Sequence, residues 1–303
     1  MTKTTRNALL ALTLTLAACA GHGRPPTHSA NVAPIPSAPV VRYQGLAAPE
    51  SALYDAEADR YLVSNVNGEP LAADGDGFIS VLSPSGEVLD LKWIEGGKNG
   101  VILDAPKGMT VAAGLLYVAD ITAVRIFDLK TGAPRGEIKV SGSTSLSDLA
   151  TGPDGRVYLT DAGAPTGHFD ARGTEAVYVL EGAKAQLVAK GKLGRPSGVL
   201  WHERGLVISP FGANELYRLD EHGKKRDVTK LPAGGLTGLV AHGDTLYVTS
   251  WQSSAVYRGK LGGAFEVAVA DQRAPGDIAI DTKRGRLLVP RFEEGTVEAF
   301  ALR

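Results

Sequence analysis

From Pro49 to Leu302 short apolar runs alternate with turns bearing Gly, Asp or Pro, and the alternation itself repeats. Segments starting near Pro49, Pro106, Leu146, Pro196, Leu236 and Pro275 can be laid over one another, mostly at a period of roughly 40 to 50 residues. Each opens with a short apolar strand, as in Ala52–Tyr54, Met109–Val111, Val199–Trp201 and Ile278–Ile280. It then turns and enters a second β-rich run: Tyr61–Val63, Leu116–Val118, Val157–Leu159, Leu206–Ile208, Leu246–Val248 and Leu287–Val289. A third strand follows as Ala176–Tyr178, Glu215–Tyr217 or Ala255–Tyr257, and a fourth follows turns such as Ser83-Pro84-Ser85-Gly86 and Asp220-Glu221-His222-Gly223.

Four strands per unit make a four-stranded antiparallel sheet with two apolar faces, which must be covered by its neighbours. Six such sheets close into an all-β, six-bladed β-propeller over residues 40–303. The sixth unit ends at Leu302 with three strands, while the spare strand Val40–Tyr43 precedes the first unit. The pattern therefore predicts that the N-terminal strand completes the last blade and closes the ring.

Ahead of the repeats the pattern changes. Lys3 and Arg6 precede an apolar run from Ala8 to Ala18 and the tetrad Leu16-Ala17-Ala18-Cys19. Such a run is too short to span a bilayer and reads as an export signal over residues 1–18. Cys19, the single cysteine of the chain, stands where the lipobox of bacterial lipoproteins, which this tetrad resembles, has its acylated residue. Lipidation there would anchor the protein to a membrane through acyl chains alone, at roughly 0.8 kcal/mol per buried methylene. Ala20 rather than Asp after the cysteine is similar to the pattern sorted to the outer membrane, so the expected address is the cell envelope. Residues 19–39, with Pro25, Pro26, Pro34, Pro36 and Pro39, read as a flexible tether.

Composition adds little against this picture. With 303 residues, 44% apolar, 37 Gly and a net charge of −1, the chain can bury a full core and carries no basic footprint for nucleic acid. No cysteine remains for disulfides or thiolate metal sites.

Propeller topology says where chemistry must sit. The first-strand starts, second-strand ends and second-to-third-strand loops share one face, and the longest insertions, residues 66–77, 95–105 and 162–173, fall on it. Two sets of residues line the mouth of the central channel there. First-strand starts supply Glu50, Lys107, Ser147, Ser197, Thr237 and Gly276, followed by Ser51, Gly108, Asp148, Gly198, Gly238 and Asp277. Second-strand ends supply Asn65, Asp120, Asp161, Pro210, Ser250 and Arg291. These side chains either bind a ligand or cap and neutralise one another, Glu50 with Lys107 above all. Trp251 and Phe211 follow second strands and either stack on a ligand or pack under a loop. His168, in an insertion beside the channel, is a candidate general base, whereas His202, His222 and His242 sit in short turns on the opposite face.

Pro49-Glu50-Ser51, the six-fold repeat and Gly152-Pro153-Asp154-Gly155 leading into Val157–Asp161 give the chain a resemblance to the regucalcin and gluconolactonase superfamily of six-bladed propellers, over residues 40–303. The resemblance implies a divalent cation such as Ca²⁺ held at the channel by a glutamate of the first blade and Asn or Asp of later blades, and hydrolysis of sugar lactones. Glu50 matches the glutamate, but Ser147 and Ser197 stand where later ligands are expected and Lys107 would repel a cation. Asp148 and Asp277, one position out of register, and the loop residue Asp104 are what could rebuild a metal site with Glu50, and Asp148 is the second candidate catalytic residue. Two functions follow: an envelope-anchored binding propeller with a degenerate metal site, recognising a small polar molecule or an envelope protein, or a metal-dependent lactone or ester hydrolase.

Overall fold

The computed structural model describes residues 35–36, 38–163 and 174–302. Its elements are β1 (Val41–Tyr43), then β2 (Pro49–Asp55), β3 (Arg60–Asn65), β4 (Phe78–Leu82) and β5 (Val88–Glu95) as blade 1. Blade 2 is β6 (Pro106–Ala112), β7 (Leu115–Asp120), β8 (Ala123–Asp128) and β9 (Pro134–Lys139). Blade 3 is β10 (Leu146–Thr151), β11 (Val157–Asp161), β12 (Ala176–Glu181) and β13 (Lys184–Lys190). Blade 4 is β14 (Pro196–His202), β15 (Gly205–Pro210), β16 (Glu215–Leu219) and β17 (Lys225–Lys230). Blade 5 is β18 (Leu236–His242), β19 (Thr245–Ser250), β20 (Ala255–Gly259) and β21 (Phe265–Val269). Blade 6 is β22 (Ala279–Asp281), β23 (Arg286–Arg291) and β24 (Thr296–Ala301), with β1 as its fourth strand.

The ring closes as the sequence pattern requires. β1 pairs antiparallel with β24 in the register Val41↔Ala299, Arg42↔Glu298 and Tyr43↔Val297. Ile35, inside the stretch expected to be a tether, is buried in the core between blades 5 and 6, so packing against the propeller begins before residue 40.

Each of the six apolar clusters lies between two neighbouring blades, from Leu62, Ile79, Leu116 and Phe127 between blades 1 and 2 to Tyr43, Tyr61, Leu288 and Val297 at the seam between blades 6 and 1. This explains the strand patterns. Second strands such as β11 are buried on both faces and read as continuous apolar runs, whereas outer strands such as β5 and β9 are largely exposed and polar. Among the described residues the one helix is a single 3-10 turn, Phe292–Glu294, and none is long and apolar enough to cross a membrane.

Candidate functional site

The channel mouth is built by a repeated irregularity. The pairing of first and second strands slips at the start of β2, β6, β10, β14 and β18, between Pro49/Ser51, Pro106/Met109, Leu146/Leu149, Pro196/Gly198 and Leu236/Leu239. A bulge of this kind re-aims side chains out of strict alternation. It lets two successive residues of each innermost strand, rather than every second one, turn towards the neighbouring blades and the axis.

Hydroxyl side chains that the sequence reading passed over hold the bulges. Ser64, Thr160 and Thr249, each next to last in its second strand, accept the N–H of Ser51, Asp148 and Gly238 at 3.0, 3.0 and 2.6 Å. Thr160, Ser209 and Thr249 donate in turn to the carbonyls of Ser197, Thr237 and Gly276 on the next blade, at 2.5, 3.0 and 2.9 Å. The signal was present: a fully buried Ser or Thr recurs at one repeat position inside otherwise apolar runs.

The blades approach so closely here that several positions admit no side chain. A Cβ on Gly276 would lie 2.1 Å from the Glu50 carbonyl oxygen, and one on Gly108 would lie 2.4 Å from Asp148 Oδ1. Asp148 and Asp277 fill the space their glycine neighbours leave. Asp148 accepts the N–H groups of Leu149 and, across the blade boundary, Val199, at 2.7 and 2.8 Å. Asp277 accepts from Ser51 Oγ at 2.8 Å and from the N–H of Ile278 at 3.0 Å. Both carboxylates staple blades together, with their oxygens occupied by the protein itself.

The second-strand ends are structural too. Asn65 accepts from Ala47 N at 3.0 Å, Asp120 from Ala105 N at 2.8 Å, and Asp161 from Ser145 N at 2.9 Å, each clamping the segment that leads into its own blade. Ser250 donates to Gly234 O at 2.6 Å, and Arg291 pairs with Glu298 and Glu294. In blade 4, where Pro210 has no side chain for the task, Glu175 of blade 3 accepts from Leu193 N and Gly194 N at 2.7 and 3.1 Å, a role the sequence reading missed. Asn65, Asp120, Asp161 and Arg291, expected as ligand contacts, are therefore tied into the fold. Asp104 is held by Arg125 at 3.3 Å and accepts from Gly75 N.

What remains at the axis is smaller. Lys107, Ser147, Ser197 and Thr237 keep 7, 9, 7 and 8% of their surface exposed. Ser147 and Ser197 share a hydrogen bond of 3.0 Å, and Thr237 donates to Pro275 O at 2.8 Å. Glu50 and Lys107 make no contact ion pair with each other, contrary to the pairing expected from sequence: Lys107 Nζ reaches only Ala105 O at 3.4 Å, and Glu50 Oε2 is fully shielded yet has no partner. Burial, aided by the charge of Asp277, pushes the Glu50 carboxyl up to about 8 against the opposing pull of Lys107. Burial likewise pushes Asp277 up to about 7 and Asp148 well above the usual carboxylate range, and pulls the Lys107 ammonium down while Glu50 and Asp120 resist.

The set Glu50, Asp148 and Asp277 does not fit a divalent cation. Such an ion needs six or more oxygens converging on one point, whereas the two aspartates hold blade-to-blade hydrogen bonds. Among the described residues no group of three acidic, His or Cys side chains converges on a common point. Asp148 is buried and its carboxylate is spent on hydrogen bonds within and across the blade boundary. His168 and Cys19 lie outside the described residues. Phe211 meets Trp251 edge-on beside the mouth, and Trp251 in turn meets Phe292, which the sequence reading overlooked. A groove of about 550 Å³, lined by Thr122, Arg125, Glu137 and Ser143, lies on the outer side of blade 2, away from the channel.

No family model and no curated protein matches the chain. Among solved structures it is similar to a gluconolactonase from Xanthomonas campestris, with 18% identity, TM-score 0.63, and coverage of 86% of this chain and 87% of that one. It is also similar to virginiamycin B lyase from Staphylococcus aureus, with 14% identity, TM-score 0.58, and coverage of 84% and 95%. A chain of the nidogen/laminin complex matches at 15% identity, TM-score 0.57, and coverage of 74% and 86%. A gluconolactonase, a lyase and a chain of the nidogen/laminin complex are all similar to it in fold, so the fold carries no single activity. At these identities the likeness establishes the fold alone: the chain is a six-bladed β-propeller.

Proposed function

We propose that this propeller is an envelope-anchored binding protein that takes a small polar ligand, bearing a carboxylate or comparable acceptor, into the mouth of its central channel. The observation that carries the reading is the state of Glu50 and Lys107. A buried carboxyl oxygen with no partner and a buried ammonium with one long hydrogen bond are costly to leave so, because each forfeits its hydration without replacement. An acceptor group placed between them takes hydrogen bonds from Lys107 and from the protonated form of Glu50, and the Ser147, Ser197 and Thr237 hydroxyls add neutral contacts. The metal-dependent lactone hydrolase reading, suggested by the gluconolactonase likeness, lacks its ligand set here.

The test is calorimetric titration of the purified chain with small carboxylates and sugar lactones, before and after treatment with a chelator. The expected result is a ligand whose affinity falls by about tenfold or more in Lys107→Met, the scale of one lost charge-assisted hydrogen bond, and is unaffected by the chelator. Binding that ignores Lys107→Met and Glu50→Gln, or that vanishes with the chelator, would sink the proposal.

A further inference from the structure

The two halves of the mouth differ in kind. The residue directly after each second-strand end is Val66, Ile121 and Ala162 in blades 1 to 3 but Phe211, Trp251 and Phe292 in blades 4 to 6. The three aromatic rings form a continuous series, with centroids 6.0 Å apart at 71° and then 5.8 Å apart at 47°. All three are half-buried, in contrast to Val66 and Ala162, which are buried.

The series touches the channel directly. Trp251 Nε1 donates to Pro275 O at 2.8 Å, the same oxygen that accepts from the channel residue Thr237 at 2.8 Å. That bond fixes the indole at the lip, beside Gly276. At the other end, the Arg195 guanidinium lies 4.9 Å from the Phe211 ring centroid. The half-exposed rings of Trp251 and Phe292, oriented by hydrogen bonding and by their neighbours, offer π faces to another ring at little cost in side-chain entropy.

We propose that Trp251 and Phe292, buttressed by Phe211, form a stacking surface, so that the channel ligand is a ring-bearing acid whose carboxylate reaches Lys107 while its ring lies on blades 5 and 6. This rests on the channel reading above. The shared chemistry is a ring with an apolar face, whether a pyranose or an aromatic ring, and the choice of probes separates these two sources.

The chain holds three tryptophans, so Trp93→Phe with Trp201→Phe leaves Trp251 as the reporter. Glucuronate (a pyranose acid), 4-hydroxybenzoate (an aromatic acid) and succinate (an acid without a ring) are titrated while Trp251 emission is followed. One ring-bearing acid is expected to bind about tenfold more tightly than succinate and to shift Trp251 emission. In the otherwise native chain, Trp251→Ala and Phe292→Ala each lower its affinity by about the same factor, so that its advantage over succinate shrinks, while Trp251→Phe retains most of it. Phe292→Ala leaves the indole bond to Pro275 intact, so it reads stacking even where Trp251→Ala disturbs the lip. Binding that needs Lys107 but is equal for succinate and indifferent to both alanine variants overturns the stacking surface and leaves the channel reading standing. Failure of all three acids to bind overturns both.

Discussion

The Glu50 carboxyl gives the clearest consequence at the scale of a single residue. Its proton is held up to about 8 in the folded chain against an ordinary value of 4.5. Between those values the folded state keeps a proton that the unfolded state has lost. The group's contribution is therefore fully present below about 4.5 and is lost as pH rises through about 8. Asp277, raised from 3.8 to about 7, acts in the same direction over a slightly lower window. Glu50→Gln, which cannot ionise, is expected to unfold at a temperature a few °C above wild type at pH 8.5 and to lose that advantage at pH 5. Thermal melts across this range check it, and parallel curves for the two proteins would contradict it.

At the scale of the element, the short strand β1 matters more than its three residues suggest. Tyr43 is fully buried, donates to Ser83 O at 2.6 Å, and meets Tyr61 edge-on with centroids 6.2 Å apart. Tyr61 in turn donates to Asp281 of blade 6, which also pairs with Arg284, and Arg284 grips Asp59 of blade 1. The seam between the first and last blades is thus stitched from both faces. Tyr43→Ala removes a large buried side chain and is expected to cost about 3–5 kcal/mol, whereas Tyr43→Phe, which deletes only the hydroxyl and its bond to a carbonyl that still accepts from Gly86 N at 3.2 Å, costs about 1 kcal/mol. Urea unfolding of the two variants distinguishes loss of ring closure from loss of one hydrogen bond, and equal effects would show that closure does not depend on this packing.

At the scale of the whole molecule, the binding proposal gives the propeller and the segment ahead of it separate duties. The lipobox-like tetrad at residues 16–19 supports anchoring at Cys19, and acyl chains there would hold the protein on a membrane without any spanning element. Cys19→Ser is expected to move the chain from the membrane pellet to the soluble fraction while leaving the thermal unfolding of the propeller unchanged. Retention of the serine variant in the pellet would refute the anchor. Ile35, packed between blades 5 and 6, limits how much of the leading segment can act as a tether.

The sequence by itself determined the architecture. A sheet apolar on both faces, repeated six times, has no way to cover itself except by stacking, and a missing fourth strand with a spare one upstream leaves one closure. It also placed Glu50, Lys107, Ser147, Ser197 and Thr237 at the start of the innermost strands, because that assignment needs only the repeat. Which of the polar residues at the mouth are available to a ligand was decided by the tertiary structure. Strand periodicity gives alternate residues to alternate faces, but the bulges at the start of the innermost strands suspend that rule over one or two positions. Asp148 thereby turns into its blade boundary rather than the channel, and Asp277, ahead of β22 in an isolated bridge to Ser51, is drawn into the boundary between blades 6 and 1. Asn65, Asp120, Asp161 and Arg291 looked like site residues for a related reason: a buried polar group must find a partner, and sequence cannot show whether that partner is a ligand or a backbone N–H some 16 residues away, as it is for Asp161. Only the folded ring, in which most of those partners are already in place, leaves Glu50 and Lys107 poorly satisfied in the channel, beside the buried Nε of Arg291.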